Sequence, residues 1–486
     1  MKRTRKYFPV LAAATLAAGL AVVTAPASRA QAQSAPTASS TPQASADTQQ
    51  RLQDLEKEML LLQKEIVSLK ESETPSMKTA AYTQPAAAEP SANAALDQAP
   101  AAAPDAGKVN LAGLLGPTTI SGFVDGYYGY NYNHPVDNLS GLRFFDAETN
   151  GFSFNMAELI VDKAPDATST ESRMGYHVAA GYGNAAAVVN SSDVITDGSR
   201  FYLKEAYGSY LAPVGKGLTV SVGKFVTPIG AEVIESNANW NYSRSILFYY
   251  AIPYYHFGAN AKYVFNPKWS LTGYLVNGWN NSAICHSCGN GQSSGLNYGA
   301  SIAYTPNAKW SVIENYFVGP TIGANTIDSE VAHPRTYSYW KQLSDTVVSY
   351  TPNTKWAFML NGDYGYGPRN YNCPSTCTAV GPTQSWWGAA GYAKYTINPK
   401  SNFAVRYEYY SDPNGYTGLL FGDNGHAQEV TATYSYNVTS GLLVRGEYRY
   451  DFASMPIFER GVFGSVKEQN TATLGFIYSF SSANAK

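Results

Sequence analysis

The charged side chains that invite a chemical reading are Lys262, Lys394, Arg406, Glu408, Glu429, Arg445, Glu447 and Arg449. They fall at alternate positions of short runs whose other positions are apolar or aromatic. From Leu442, one set reads Leu442, Val444, Gly446, Tyr448 and Tyr450, and the other Arg445, Glu447, Arg449 and Asp451. Phe403, Val405, Tyr407 and Tyr409 alternate with Arg406 and Glu408 in the same way. A period of two marks a β-strand with two unlike faces. Basic and acidic residues intermix on the charged face. Such a face pairs across strands or forms a weakly selective polar wall, whereas a ring of one sign would select ions. A second group, Glu232, Glu235 and Arg244, lies among Asn237, Asn239, Trp240 and Asn241 in the segment 227–250 and reads as a constriction loop.

Other reactive chemistry is sparse. Cys285 and Cys288 lie in one polar segment, Cys373 and Cys377 in another. In an exported chain disulfides are the default, with three possible connectivities. The rival reading, zinc held by Cys-His-Ser-Cys and the second pair, has loose spacing for a metal site. His134, His177, His256, His286, His333 and His426 fall in no metalloprotease or nucleophile-elbow phrase, and no phosphate-cradling glycine loop occurs. No enzymatic activity, cofactor or metal is expected. The formal net charge of −2, without a basic stripe, argues against a nucleic-acid partner.

The elements that must position the charged face are strands. One phrase recurs from Tyr263, Tyr304, Tyr350, Tyr395 and, loosely, Tyr436: a tyrosine, a tight polar turn, then a fresh hydrophobic run. The starts are 41, 46, 45 and 41 residues apart. Each period holds two strands of about ten residues, the length that crosses a bilayer at a tilt. A propeller blade of similar period packs four strands and carries a Trp-Asp or Gly-His signature, which is missing. From Thr118 sixteen strands can be read. Charges on the face away from lipid avoid a cost of about 2–4 kcal/mol for each Arg or Lys at the midplane. The expected fold is therefore all-β: a transmembrane antiparallel barrel of about sixteen strands. The runs 310–318 and 340–350 alternate poorly, and their faces cannot be read. The 38 Tyr and 42 Gly against 7 Met, with 14% charged residues, suit a barrel with aromatic girdles.

The N-terminal quarter is different. Residues 1–32 read as a secretory signal, with a basic start, an apolar run from Val10 to Val23 and small residues around Ala30 and Ala32. Residues 33–46 read as a disordered segment. Within 47–73, Leu52, Leu55, Met59, Leu62, Ile66 and Leu69 follow a heptad spacing, which predicts a short coiled-coil helix needing partner chains. Residues 74–117 are rich in Ala and Pro and predict a periplasmic linker to the barrel at 118–480, after which 481–486 form a tail.

Several phrases resemble the OmpL-like outer-membrane β-barrel porin family. They are Ile-Ser-Gly-Phe-Val-Asp-Gly-Tyr-Tyr from Ile120, Phe-Asn-Met-Ala-Glu-Leu-Ile-Val-Asp-Lys-Ala-Pro from Phe154 and Leu-Ala-Pro-Val-Gly-Lys-Gly-Leu-Thr-Val from Leu211. A fourth is Gly-Lys-Phe-Val-Thr-Pro-Ile-Gly-Ala-Glu from Gly223, continuing to Pro-Tyr-Tyr-His-Phe-Gly at Pro253. The resemblance covers about 118–480 and implies a water-filled outer-membrane pore for small hydrophilic solutes. Lipid, such solutes and two further copies in a homotrimer are the expected partners. Two other readings compete: a structural anchor that tethers the envelope through the coiled coil, and a surface enzyme or adhesin built on the outer loops.

Overall fold

Alternation sustained over consecutive strands leaves no stable open edge, because every edge exposes unpaired backbone groups that hydrocarbon cannot satisfy. The chain meets this constraint by closing on itself. The computed structural model describes residues 116–191, 199–284, 295–320, 340–367, 384–413, 415–418 and 425–482. The expected signal, coiled coil, linker up to residue 115, all four cysteines and residues 483–486 lie outside them.

The barrel strands are β1 (Thr119–Asn131), β2 (Gly151–Lys163), β3 (Met174–Tyr182), β4 (Phe201–Ala212), β5 (Leu218–Val226), β6 (Tyr255–Asn266), β7 (Trp269–Val276) and β8 (Asn297–Asn307). They continue as β9 (Trp310–Pro320), β10 (Trp340–Tyr350), β11 (Trp356–Gly367), β12 (Gln384–Asn398), β13 (Ser401–Ser411), β14 (His426–Asn437), β15 (Leu442–Ala453) and β18 (Glu468–Ser481). Neighbours pair antiparallel in chain order, and β1 pairs with β18 from Ser121↔Ser481 to Asn131↔Thr471, closing sixteen strands. A two-stranded ribbon, β16 (Phe458–Glu459) with β17 (Ser465–Val466), and a short helix α1 (Asn184–Asn190) decorate two of the longer connections.

The recurring phrase has a mechanical meaning. Its asparagine closes each hairpin as an Asx-turn: Asn266 Oδ1 accepts the backbone N–H of Lys268 at 2.9 Å, Asn307 that of Lys309 at 2.9 Å and Asn398 that of Lys400 at 2.9 Å. Asn353 accepts both Lys355 N–H at 2.9 Å and Trp356 N–H at 3.0 Å. The tryptophan after one turn then packs against the tyrosine that opens the next phrase. Trp269 lies 4.1 Å from Tyr304, Trp310 4.2 Å from Tyr350 and Trp356 4.7 Å from Tyr395, between ring centroids. Successive hairpins thereby lock into an aromatic girdle at the short-turn rim, where amphipathic rings suit a membrane–water boundary.

Faces sort as the alternation requires. Val430, Tyr434, Tyr448, Leu474 and Phe476 are exposed on the outside, while Glu429, Thr433, Glu447, Arg449 and Thr473 are buried on the inside. β9 and β10 alternate poorly in sequence because Phe317, Leu343 and Val347 point inward and are buried there. The inward set is partly apolar here while the outward set carries Glu314, Ser344 and Thr346, so polar and apolar residues stand on both faces and the usual contrast is lost.

Leu474→Arg, on the outer face, is expected to lower unfolding free energy in phospholipid vesicles by about 2–4 kcal/mol. Ser301→Arg, at an inward half-buried position of β8, should cost well under half of that in the same urea titration.

Candidate pore constriction

The barrel interior is built around the 227–254 segment, which leaves β5, runs across the inside and returns to β6. Its entry uses Gly223 and Gly258, which face each other across the two strands with φ of 143° and 159°. A Cβ on either would meet a neighbouring backbone oxygen at 2.2 Å, so this close crossing demands glycine at both places.

Inside the barrel, the segment has almost no secondary structure to satisfy its backbone, and the wall side chains do so instead. Glu447 on β15 accepts the N–H of Tyr242 at 2.6 Å and of Ser243 at 3.0 Å. Glu408 on β13 accepts those of Ile246 and, at 3.2 Å, Leu247. The arginines serve the carbonyls. Arg445 reaches Asn239 O at 2.6 Å and Asn241 O at 3.2 Å, Arg449 reaches Arg244 O at 2.7 Å and Arg406 reaches Ser243 O at 2.8 Å. Hydrogen bonds with one charged partner are about twice as strong as neutral ones, which suits a backbone removed from water.

The wall charges also pair with each other and with the loop. Arg406 sits between Glu429 and Glu232, at 2.5 Å and 2.6 Å, and Glu232 in turn accepts Ser245 N–H at 2.7 Å. Arg449 bridges Glu429 at 3.6 Å and Asp451 at 2.7 Å. Arg143, from the connection between β1 and β2, extends the chain of charges through Asp146 and, at 3.7 Å, Asp451. Arg244 lies in the loop, donating to Tyr242 O at 2.8 Å and covering the ring of Phe145 at 4.8 Å.

On the neighbouring strands β1 to β4, Lys204 of β4 holds Glu235 of the loop and Glu158 of β2, the latter at 2.7 Å. Asp125 of β1 accepts Ser236 Oγ at 2.7 Å and Tyr242 Oη at 2.8 Å. Burial, with the Asp125 carboxylate beside it, pushes the Tyr242 phenol well up, so it stays protonated and donates. Asp345 and Asp363 face each other on β10 and β11. Asp345 accepts Asn361 Nδ2 at 2.6 Å, Asn315 Nδ2 at 2.7 Å and the loop N–H of Gly230 at 3.1 Å.

This arrangement corrects part of the pore-lining expectation. Arg406, Glu408, Glu429, Arg445, Glu447 and Arg449 do point inward, yet all are buried beneath the loop and do not face open water. The reason is that the loop backbone needs them as partners. Lys262 and Lys394 remain half-buried with no carboxylate in ion-pair reach among the described residues; Lys394 covers the Trp240 ring at 4.7 Å. Glu232, Glu235 and Arg244 all belong to the infolded loop. Asp125, Lys204, Asp345 and Asp363 went unnoticed in the sequence. Asp125 and Lys204 each share a face with inward residues of their strands, so alternation would have found them.

A closed sixteen-stranded barrel, apolar outside, charged inside and crossed by an infolded loop, is the architecture of an outer-membrane porin. The chain belongs to the family described as "Putative beta-barrel porin-2, OmpL-like", whose profile matches residues 117–480. No curated protein sequence matches it. Among solved structures it is similar in fold to the outer membrane channel DcaP of Acinetobacter baumannii, with 13% identity over 75% of this chain and 97% of that one and a TM-score of 0.49. It is also similar to an anion-selective porin from Comamonas acidovorans, with 11% identity over 75% of this chain and 99% of that one and a TM-score of 0.48. The protein is an outer-membrane porin through which small hydrophilic solutes pass by diffusion.

Breaking the buried charge partners should unseat the loop. Arg406→Met leaves Glu232 without its ion partner and Glu429 with Arg449 alone at 3.6 Å, a loss of about 3–5 kcal/mol. The expected outcome is a noisier, larger single-channel current and protease cleavage within 233–240. An unaltered current trace together with an uncut loop would exclude this anchoring role.

Proposed function

We propose that solutes cross past the infolded loop along the inward faces of β6, β7 and β8. The observation that carries this reading is the asymmetry of burial. The β13–β15 wall is spent on holding the loop, whereas Asn260, Lys262, Thr272 and Ser301 keep partial exposure on the inward side. Hydroxyl, amide and ammonium groups along a passage replace lost hydration without binding any one solute tightly, which favours diffusion over capture. Lys262 on one side and Lys394 beside Trp240 are the unpaired charges assigned to it. The belonging of the chain to a porin family supports transport over catalysis.

The same reading places residues 33–117 in the periplasm and uses the heptads at Leu52 to Leu69 to join copies of the chain, in a trimer, beneath the membrane. The support is the spacing itself, since a helix of under four heptads is marginal alone. The cysteine pairs are assigned to disulfides in the outer connections.

Two experiments test the pore. In planar bilayers the purified protein should give ohmic steps that rise when 233–240 is shortened; a silent barrel of native fold would defeat the proposal. Lys262→Gln combined with Lys394→Gln should move the reversal potential in a salt gradient toward that of the cation. No movement would remove both lysines from the passage.

A further inference from the structure

Glu314 is a charged residue that the pore does not use. On β9 it belongs to the outward set with Val312, Tyr316 and Val318, while Asn315 and Phe317 beside it are buried inside. It lies four residues above Trp310 of the girdle, which at 3.3 Å per residue and the usual strand tilt is about 10 Å into the apolar band. Its carboxylate accepts Ser344 Oγ at 2.7 Å and Thr346 Oγ1. Both hydroxyls are outward residues of β10, and Thr346 stands directly opposite Glu314 in the register. Two strands of the outer wall thus present a carboxylate and two hydroxyls at a depth where β14, β15 and β18 present Val430, Tyr434, Tyr448, Leu474 and Phe476. Of the flanking outward positions, Gly362 on β11 stands opposite Thr346 and carries no side chain, which leaves a recess beside the polar groups, while Ile302 on β8 stands opposite Glu314.

We infer that the outer face of β8–β11 is where the barrel meets a second copy of the same chain. Acyl chains offer a carboxylate no hydrogen bond, and lipid headgroups lie above and below this depth, so a lipid neighbour leaves it unsatisfied on its open side. A protein neighbour does not. Copies in one bilayer share the membrane normal, so Glu314 of one copy meets groups at equal depth on the next. The hydroxyls of Ser344 and Thr346 occupy that depth and can donate to either copy's carboxylate. The bare backbone at Gly362, beside Thr346, lets a second wall approach closely there, as small residues do at helix interfaces in membranes. A separate observation calls for the same partner: the heptads at Leu52 to Leu69 are built to associate copies of this chain. The inference rests on that self-association and adds where the barrels touch.

Photo-cross-linking with full-length protein in native outer membranes tests it. A benzoylphenylalanine probe replaces Ile302 or Leu360, which flank the recess and are exposed; a control probe replaces Tyr448 on the far wall. Adducts between copies from Ile302 and Leu360, with none from Tyr448, are the expected result. Adducts from Tyr448 alone would show that copies associate through another face, overturning the placement but not the association. Absence of adducts from every probe, with a single-copy mass in native mass spectrometry from mild detergent, would overturn both. Glu314→Leu should lower the oligomer fraction at fixed detergent by about tenfold, while the unheated folded band in electrophoresis stays intact. An unchanged fraction would remove Glu314 from the contact.

Discussion

Everything inside this barrel follows from one constraint: a loop of nearly thirty residues folded into a membrane-depth interior must find partners for its backbone. It forms only a single turn at Ser236–Ala238 and another at Leu247–Ala251, too little to satisfy itself. The wall therefore donates charged side chains as substitutes for strand neighbours. Glu447 and Glu408 each accept two successive N–H groups, and Arg406, Arg445 and Arg449 each reach loop carbonyls. A carboxylate receiving adjacent N–H groups is a small anion nest built in reverse, with the ion fixed and the backbone brought to it.

That arrangement explains why the charges on β13–β15 come in both signs. Two of the three arginines that serve carbonyls are themselves flanked by acids, so that their buried charge is compensated: Arg406 by Glu429 and Glu232, Arg449 by Glu429 and Asp451. A buried ion pair seldom adds net stability over apolar packing, but removal of one partner is costly, so such a set specifies position more than it adds strength. Position is what a constriction requires. A wall with the same net charge but no loop to serve would leave these groups hydrated and free to govern passage.

The outer wall obeys the complementary rule. Tryptophans and tyrosines of successive turns pack against one another around one rim, and the band above them is aliphatic and aromatic. The polar set of Glu314, Ser344 and Thr346 departs from this pattern. It is satisfied within the chain on one side and open on the other, which marks a surface meant for protein more than for acyl chains.

How much of this was legible depends on range. Period-two alternation and the Tyr-turn-Trp phrase are local, and they determined the sixteen strands, the closed antiparallel barrel, the hairpin turns and the inward side of Arg406, Glu429, Arg445 and Arg449. Alternation failed only at β9 and β10, where Phe317, Leu343 and Val347 face inward while Glu314, Ser344 and Thr346 face outward, which erases the contrast. What those inward charges do was decided by tertiary structure alone. A sequence shows that Glu447 faces inside; it does not show that Tyr242 and Ser243, some two hundred residues earlier, bring their N–H groups to it. The local chain sets which side of the sheet a residue occupies, because the pleat is a property of neighbours. What stands opposite across the interior depends on closure of the whole barrel, and no short window of sequence contains that.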